Sequence, residues 1–107
     1  LALLLDSVNH VEINIGELVK FTSENPAKLL NIKNKGRIEV GADADLVIVD
    51  MEKEKTVGDG GYFTKCGWSP FDGRKLKGWP VTTVVNGNMV FENGEIENEI
   101  KGKEIVF

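Results

Sequence analysis

The spacing of apolar residues changes period between Asn31 and Gly36, and that change divides the chain into a helical first third and a β-rich remainder. Before it, Leu1 to Val8 is an almost continuous apolar run, as expected at the end of an element buried against a larger body. A polar connection follows from Asn9 to Asn14. Asn14 with Glu17 three residues on has the form of a capping box. Leu18, Val19 and Phe21 then give one apolar face to a helix ending near Thr22. Asn25-Pro26 predicts a restart, because Asn caps well and Pro lacks an N–H that the first helical position leaves unpaired anyway. Ala27, Leu29 and Leu30 belong to this second helix, and Asn31 to Gly36 stops it.

Beyond the boundary the period becomes two. Ile38 and Val40 alternate with Arg37 and Glu39 as in a half-exposed strand, bracketed by Gly36 and Gly41. Leu46-Val47-Ile48-Val49 is a branched apolar run between Asp45 and Asp50, which predicts the most buried strand of the fold, covered on both faces. The charged run Met51 to Lys55 and the glycine-rich Thr56 to Phe63 read as a long connection. Lys65 to Gly73 reads as a loop pinned by burial of Trp68 and Phe71. Pro80 to Val85 predicts a strand, and Asn86-Gly87 is the strongest hairpin signal in the chain, with Met89 to Phe91 returning to the same sheet. Asn93-Gly94 makes a further turn. Ile96 and Ile105-Val106-Phe107 are expected as short edge strands, with Glu97 to Glu104 exposed between them. The expected fold class is α+β.

Composition narrows the functional classes. At 107 residues the chain is one small domain or part of a larger one. A net charge of −4, with Lys and Arg interspersed among acids, excludes a basic patch and argues against nucleic acid as a partner. The apolar runs are too short for a membrane span, and Leu1 to Leu5 lacks the basic flank and cleavage site of a signal peptide. A single cysteine, Cys66, forms no internal disulfide and fits a reducing cytoplasm. The opening Leu-Ala-Leu-Leu-Leu has neither Met nor a capping residue, as expected of a fragment that starts inside an apolar element.

Candidate chemistry is sparse. His10 is the sole histidine, so a histidine metal centre, a Ser-His-Asp triad or a Cys-His pair lacks its parts, and His10 is expected as a solvated loop residue. Cys66 beside Lys65 invites a reactive-thiol reading, but adjacency in sequence does not place the ammonium near the sulfur. Asp43 and Asp45 are too few for a calcium loop and are expected to accept hydrogen bonds from turn amides. Glycines 58, 60, 61 and 67 have neither nucleotide-binding spacing. Trp68, Phe71 and Trp79 are expected to pack rather than stack on a ligand. No catalytic, cofactor-binding or metal residue is therefore assigned.

Two stretches carry a resemblance. Ser23 to Leu30, Lys35 to Ile38 and Gly41 to Asp50 resemble the C-terminal signature of the amidohydrolase superfamily. Ser69 to Gly73, Leu76 to Gly78 and Pro80 to Gly87 are similar in particular to the dihydroorotases, with looser versions in hydantoinases and allantoinases. The resemblance implies that residues 1–32 are the last helices of a TIM-like barrel. Residues 33–107 become the C-terminal part of a composite β-sandwich. It implies metal-dependent, reversible hydrolysis of a cyclic amide, dihydroorotate to and from carbamoyl aspartate, in pyrimidine synthesis. Zinc is implied for the intact enzyme and its ligands match nothing here, so this chain is expected to be structural, to bind no metal and to be inactive alone. The Trp68 to Gly73 loop is expected near the domain interface. Expected partners are the barrel part of the same enzyme and further copies in a homo-oligomer. The alternatives are a hydantoinase- or allantoinase-type fragment, a non-catalytic dihydroorotase-like scaffold, or an assembly module.

Overall fold

In the computed structural model, which describes residues 1–97 and 99–105, the helices come first and a four-stranded antiparallel sheet follows in the order β1-β2-β3-β4. Helix α1 spans Ala2–Asn9, α2 Ile15–Val19 and α3 Asn25–Leu29. The strands are β1 Leu46–Thr56, β2 Lys75–Val85, β3 Asn88–Glu92 and β4 Glu95–Ile96. This is an α+β arrangement, and the core lies where α1 meets β2. Leu5 is 1% exposed and Leu76 is 2% exposed.

Local signals explain most helix ends. Asn14 and Glu17 form both halves of the expected capping box, with Glu17 N donating to Asn14 Oδ1 and Asn14 N donating to Glu17 Oε2. The expected break before Pro26 does not occur. Asn25 has helical dihedrals, and a five-residue π-helical stretch, Lys20–Glu24, joins α2 to α3 without interruption. Proline removes one donor and crowds the carbonyl four residues back; the wider turn here sends the Asn25 N–H to Lys20 O instead. Helix α3 then ends at Asn31, whose φ is 52°, with Asn31 N donating to Lys28 O and Ile32 N to Ala27 O.

Helix α1 ends in the same motif with a less suitable residue. Val11 N donates to Val8 O and Glu12 N to Ser7 O, which places Val11 in the left-handed region at φ 61°. A β-branched side chain is strained there, and that of Val11 is exposed.

The sheet and the segments around it depart from expectation in five places. Leu46 to Val49 is an edge strand rather than the most buried element; Ile48 is 56% exposed. Helix α1 packs on β2, so β2 holds the buried positions Leu76, Gly78 and Thr82. Strand β1 also runs on through Met51 to Thr56, because its charges face β2 in cross-strand pairs: Glu54 with Lys75 at 2.5 Å and Glu52 with Lys77 at 2.6 Å. Correspondingly, β2 starts at Lys75, five residues before the expected Pro80. Ile38 and Val40 form no strand. Their segment is closed by turn bonds, Ala42 N to Glu39 O and Asp43 N to Asn34 O, with no strand of the described residues beside it. Trp68 and Phe71 are exposed rather than buried, Trp68 at 62%, because no described element covers that side of the loop.

The hairpin signals hold. Asn86 and Gly87 both take positive φ, 48° and 79°, the twist that two-residue hairpins require, and Asn93-Gly94 repeats this between β3 and β4. Ile96 pairs with Phe91 as an edge residue. Ile105 is in no strand, while Val106, Phe107 and Asn98 lie outside the described residues.

Two substitutions test these packing arguments. Val11→Gly is expected to raise stability by about 1 kcal/mol, because glycine relieves the left-handed strain at an exposed site. Urea unfolding that shows no gain contradicts the strain. Gly78, at φ 104°, has no room for a Cβ, which would lie 2.8 Å from Leu5 Cβ. Gly78→Ala is therefore expected to cost roughly 2–4 kcal/mol by the same measurement, from backbone strain and overpacking together.

Candidate functional site

The densest polar arrangement is the junction of α1 with the β1–β2 ladder. The ladder is irregular there: Asp50 pairs with Trp79, but the next pair is Glu54 with Lys77, so Met51 to Lys53 bulge out opposite Gly78. A bulge leaves backbone groups without strand partners, and buried groups of that kind must be satisfied otherwise. Asp50 Oδ1 accepts from Glu52 N at 2.9 Å and Lys53 N at 3.1 Å. Two side chains of α1 supply further bonds. Asn9 Nδ2 donates to Met51 O at 2.9 Å and Lys77 O at 2.8 Å, and Asp6 Oδ1 accepts from Lys77 N at 2.7 Å. Asp6 is buried. A charge-assisted bond of this kind contributes about 1.5–3 kcal/mol, and more is lost if one partner is left alone.

Sequence reasoning missed Asp6 and Asn9. Their partners are 71 and 68 positions away, and neither residue type at a helix end announces such a contact. His10, the expected loop residue, follows α1 with its side chain mostly exposed. Its Nδ1 lies 2.8 Å from Asp6 O and 3.5 Å from Asp6 Oδ2.

Asp43 and Asp45 do come together, around an ammonium. Lys35 Nζ bonds Asp45 Oδ2 and lies 3.0 Å from Asp43 Oδ2, where a cation would otherwise go. Asp45 Oδ1 also accepts from Asn86 N at 2.8 Å, and Gly87 N donates to Ala44 O, so the pair ties the 34–45 loop to the β2–β3 turn. This is the turn-amide role expected for Asp45. The Lys35 hydrogen bond and the Asn86 amide hold the Asp45 carboxyl below its ordinary value, and bonds to Asp45 and Asp43 raise Lys35. Lys28 and Arg37 likewise face carboxylates, Glu24 at 3.7 Å and Glu39 at 2.6 Å.

Cys66 is exposed, and its thiol is held below the ordinary value by the Thr64 hydroxyl, 3.2 Å from Sγ, and then by the Trp68 backbone. Lys65 plays no part in that shift. Trp79 packs as expected: its Nε1 donates to Leu76 O, and Lys55 Nζ lies 5.5 Å from its ring centroid. Among the described residues no three His, Cys, Asp or Glu side chains converge, so the donor set here does not fit a metal ion. Among the same residues no helix is long and apolar enough to cross a membrane.

With this fold and junction the chain belongs to the Amidohydrolase family, whose sequence pattern matches residues 1–90. It is 46% identical over 105 residues to the dihydroorotase of Pyrococcus horikoshii, an alignment that covers 98% of this chain and 25% of that protein. It is also 39% identical over 95 residues to the L-hydantoinase of Paenarthrobacter aurescens, 88% of this chain and 21% of that one. The solved L-hydantoinase (dihydropyrimidinase) from Arthrobacter aurescens superimposes with a TM-score of 0.92 at 35% identity, over the whole of this chain and 24% of its own. The chain thus spans about a quarter of the length of the relatives it matches.

The Lys35–Asp45 pair has a definite pH signature. The depressed Asp45 pKa stabilises the fold above the ordinary carboxyl value of 3.8, and that contribution is lost as pH falls through the lower folded value. The raised Lys35 pKa stabilises below 10.5 and is lost as pH rises through the higher folded value. The stability advantage of the native chain over Asp45→Asn is therefore expected to be full at pH 7 and to shrink below about pH 4. An advantage independent of pH between 7 and 2 refutes the pairing.

Proposed function

We propose that this chain is the C-terminal portion of a dihydroorotase-type cyclic amidohydrolase and serves it structurally. In this reading residues 1–32 end the TIM-like barrel, and residues 33–107 are the tail part of a composite β-sandwich that braces it. The observation that carries the reading is the 46% identity to a dihydroorotase over 98% of the chain. The chain's own polar groups are engaged in holding helix to sheet and loop to turn, which suits bracing rather than catalysis. Zinc, and the groups that move protons, then belong to the part of the enzyme outside these residues. The enzyme is proposed to be cytoplasmic and homo-oligomeric, without nucleic-acid or membrane partners.

A hydantoinase-type enzyme is the second reading, favoured by the TM-score of 0.92 to an L-hydantoinase. The substrate separates the two. Full-length polypeptide carrying this chain, loaded with zinc, is expected to hydrolyse dihydroorotate and to close carbamoyl aspartate; turnover of hydantoin with none of dihydroorotate transfers the assignment to the second reading. Inactivity on both favours a non-catalytic scaffold. Residues 1–107 purified alone are expected to show no metal-dependent turnover of either substrate, and activity that survives repeated purification overturns the structural role.

A further inference from the structure

The α1 junction does more than fill a core, because its bonds fall on one bulge rather than along the ladder. The bulge at Met51 to Lys53 divides the β1–β2 hairpin into two parts. On one side Leu46 to Asp50 pairs with Trp79 to Val84. On the other, Glu54 to Thr56 pairs with Lys75 to Lys77. This outer part is extended by Val57 N to Arg74 O and Gly73 N to Val57 O, and it carries the loop with exposed Phe63, Cys66 and Trp68. The direction of the outer part depends on the geometry of the bulge, since a bulge bends and twists its strand.

That geometry is held from outside the sheet. Both backbone groups of Lys77 end on α1, the N–H on Asp6 and the carbonyl on Asn9, and Asn9 takes Met51 O across the bulge with the same nitrogen. Gly78 lets α1 come this close: a Cβ there would lie 3.2 Å from Asn9 Nδ2 as well as against Leu5. Glu52 and Lys53 are fixed in turn by Asp50.

We infer that Asp6 and Asn9 are positioning residues that latch the β1–β2 bulge to α1 and thereby set where the aromatic loop of residues 58–73 projects. The latch stands on these contacts alone. Its consequence for catalysis, that α1 transmits the position of the catalytic body to the tail sheet, rests on the function proposed above.

The decisive variant is Asn9→Asp, which keeps the side chain's shape but sets carboxylate oxygens against two carbonyls. It is made in the full-length polypeptide and compared with Asp6→Asn, which keeps an acceptor for Lys77 N. Spin labels on Cys66 and on a Glu12→Cys site, in a background free of other reactive cysteines, report the loop-to-helix distance, and hydrogen exchange reports the Lys77 amide. Asn9→Asp is expected to broaden the distance distribution and, by freeing α1 from the bulge and so loosening the Asp6 bond to the Lys77 amide, to lower Lys77 protection about tenfold or more. Protection in residues 15–29 should stay unchanged, and Asp6→Asn, which keeps a neutral acceptor, should lower Lys77 protection less than Asn9→Asp does and leave the distance distribution narrow. An Asn9→Asp protein with native distance and native Lys77 protection overturns the latch. If Asn9→Asp does not fold, Asn9→Ala removes the donors without adding charge and is read by the same two outcomes. Native polypeptide that turns over no cyclic amide yet shows the protected Lys77 amide defeats the functional reading and leaves the latch standing. Unaltered exchange in the variant, with catalysis intact, defeats the latch alone.

Discussion

The structure depends on one constraint: where the β1–β2 pair carries a three-residue bulge, backbone groups of Met51 and Lys77 that face α1 need partners off the sheet, and the helix supplies them. Strand β1 has two residues too many for β2 between Asp50 and Glu54, and a ladder interrupted in this way leaves Lys77 and Met51 with groups that cannot pair within the sheet. Asp6 and Asn9 complete them. Because those side chains are one turn apart on α1, the helix must lie across β2 at a fixed height, and the rest of the core follows. Leu5 sits over Gly78, Leu76 is enclosed, and Trp79 bonds the Leu76 carbonyl.

A second tie, electrostatic rather than apolar, organises the opposite end of the sheet. Lys35, Asp43 and Asp45 close the irregular segment between α3 and β1, and Asp45 reaches the amide of Asn86 at the hairpin tip. Several charges of this chain fix geometry. Glu52 and Glu54 pair across the strands, Asp50 closes the bulge, and Asp6 docks the helix.

What the sequence made legible was local. The Asn14–Glu17 capping box, the Asn86-Gly87 hairpin and the turn at Asn93-Gly94 each depend on residues within four positions of one another, and each is present. Burial was less legible, because it depends on what lies opposite. Leu46 to Val49 has the composition of a covered strand but stands at the sheet's edge, and Trp68 has no described element over it. The charges of Glu52 to Lys55 disguised a strand whose side chains find partners across the ladder. Pro26 read as a helix start because local rules do not anticipate a π-helical stretch that carries the helix straight through to it. Asp6 and Asn9 were invisible for the simplest reason: their partners, Met51 and Lys77, lie 42 to 71 positions away.

We propose that these residues brace a catalytic body whose metal they do not hold, through α1 latched to the β1–β2 bulge. The most direct measurement is a crystal structure of the full-length polypeptide with its metal bound. That bracing role predicts Asp6 and Asn9 within hydrogen-bond distance of Lys77 and Met51, and every protein ligand of the metal outside residues 1–107. A metal ligand contributed by this chain, or an α1 separated from β2, contradicts it.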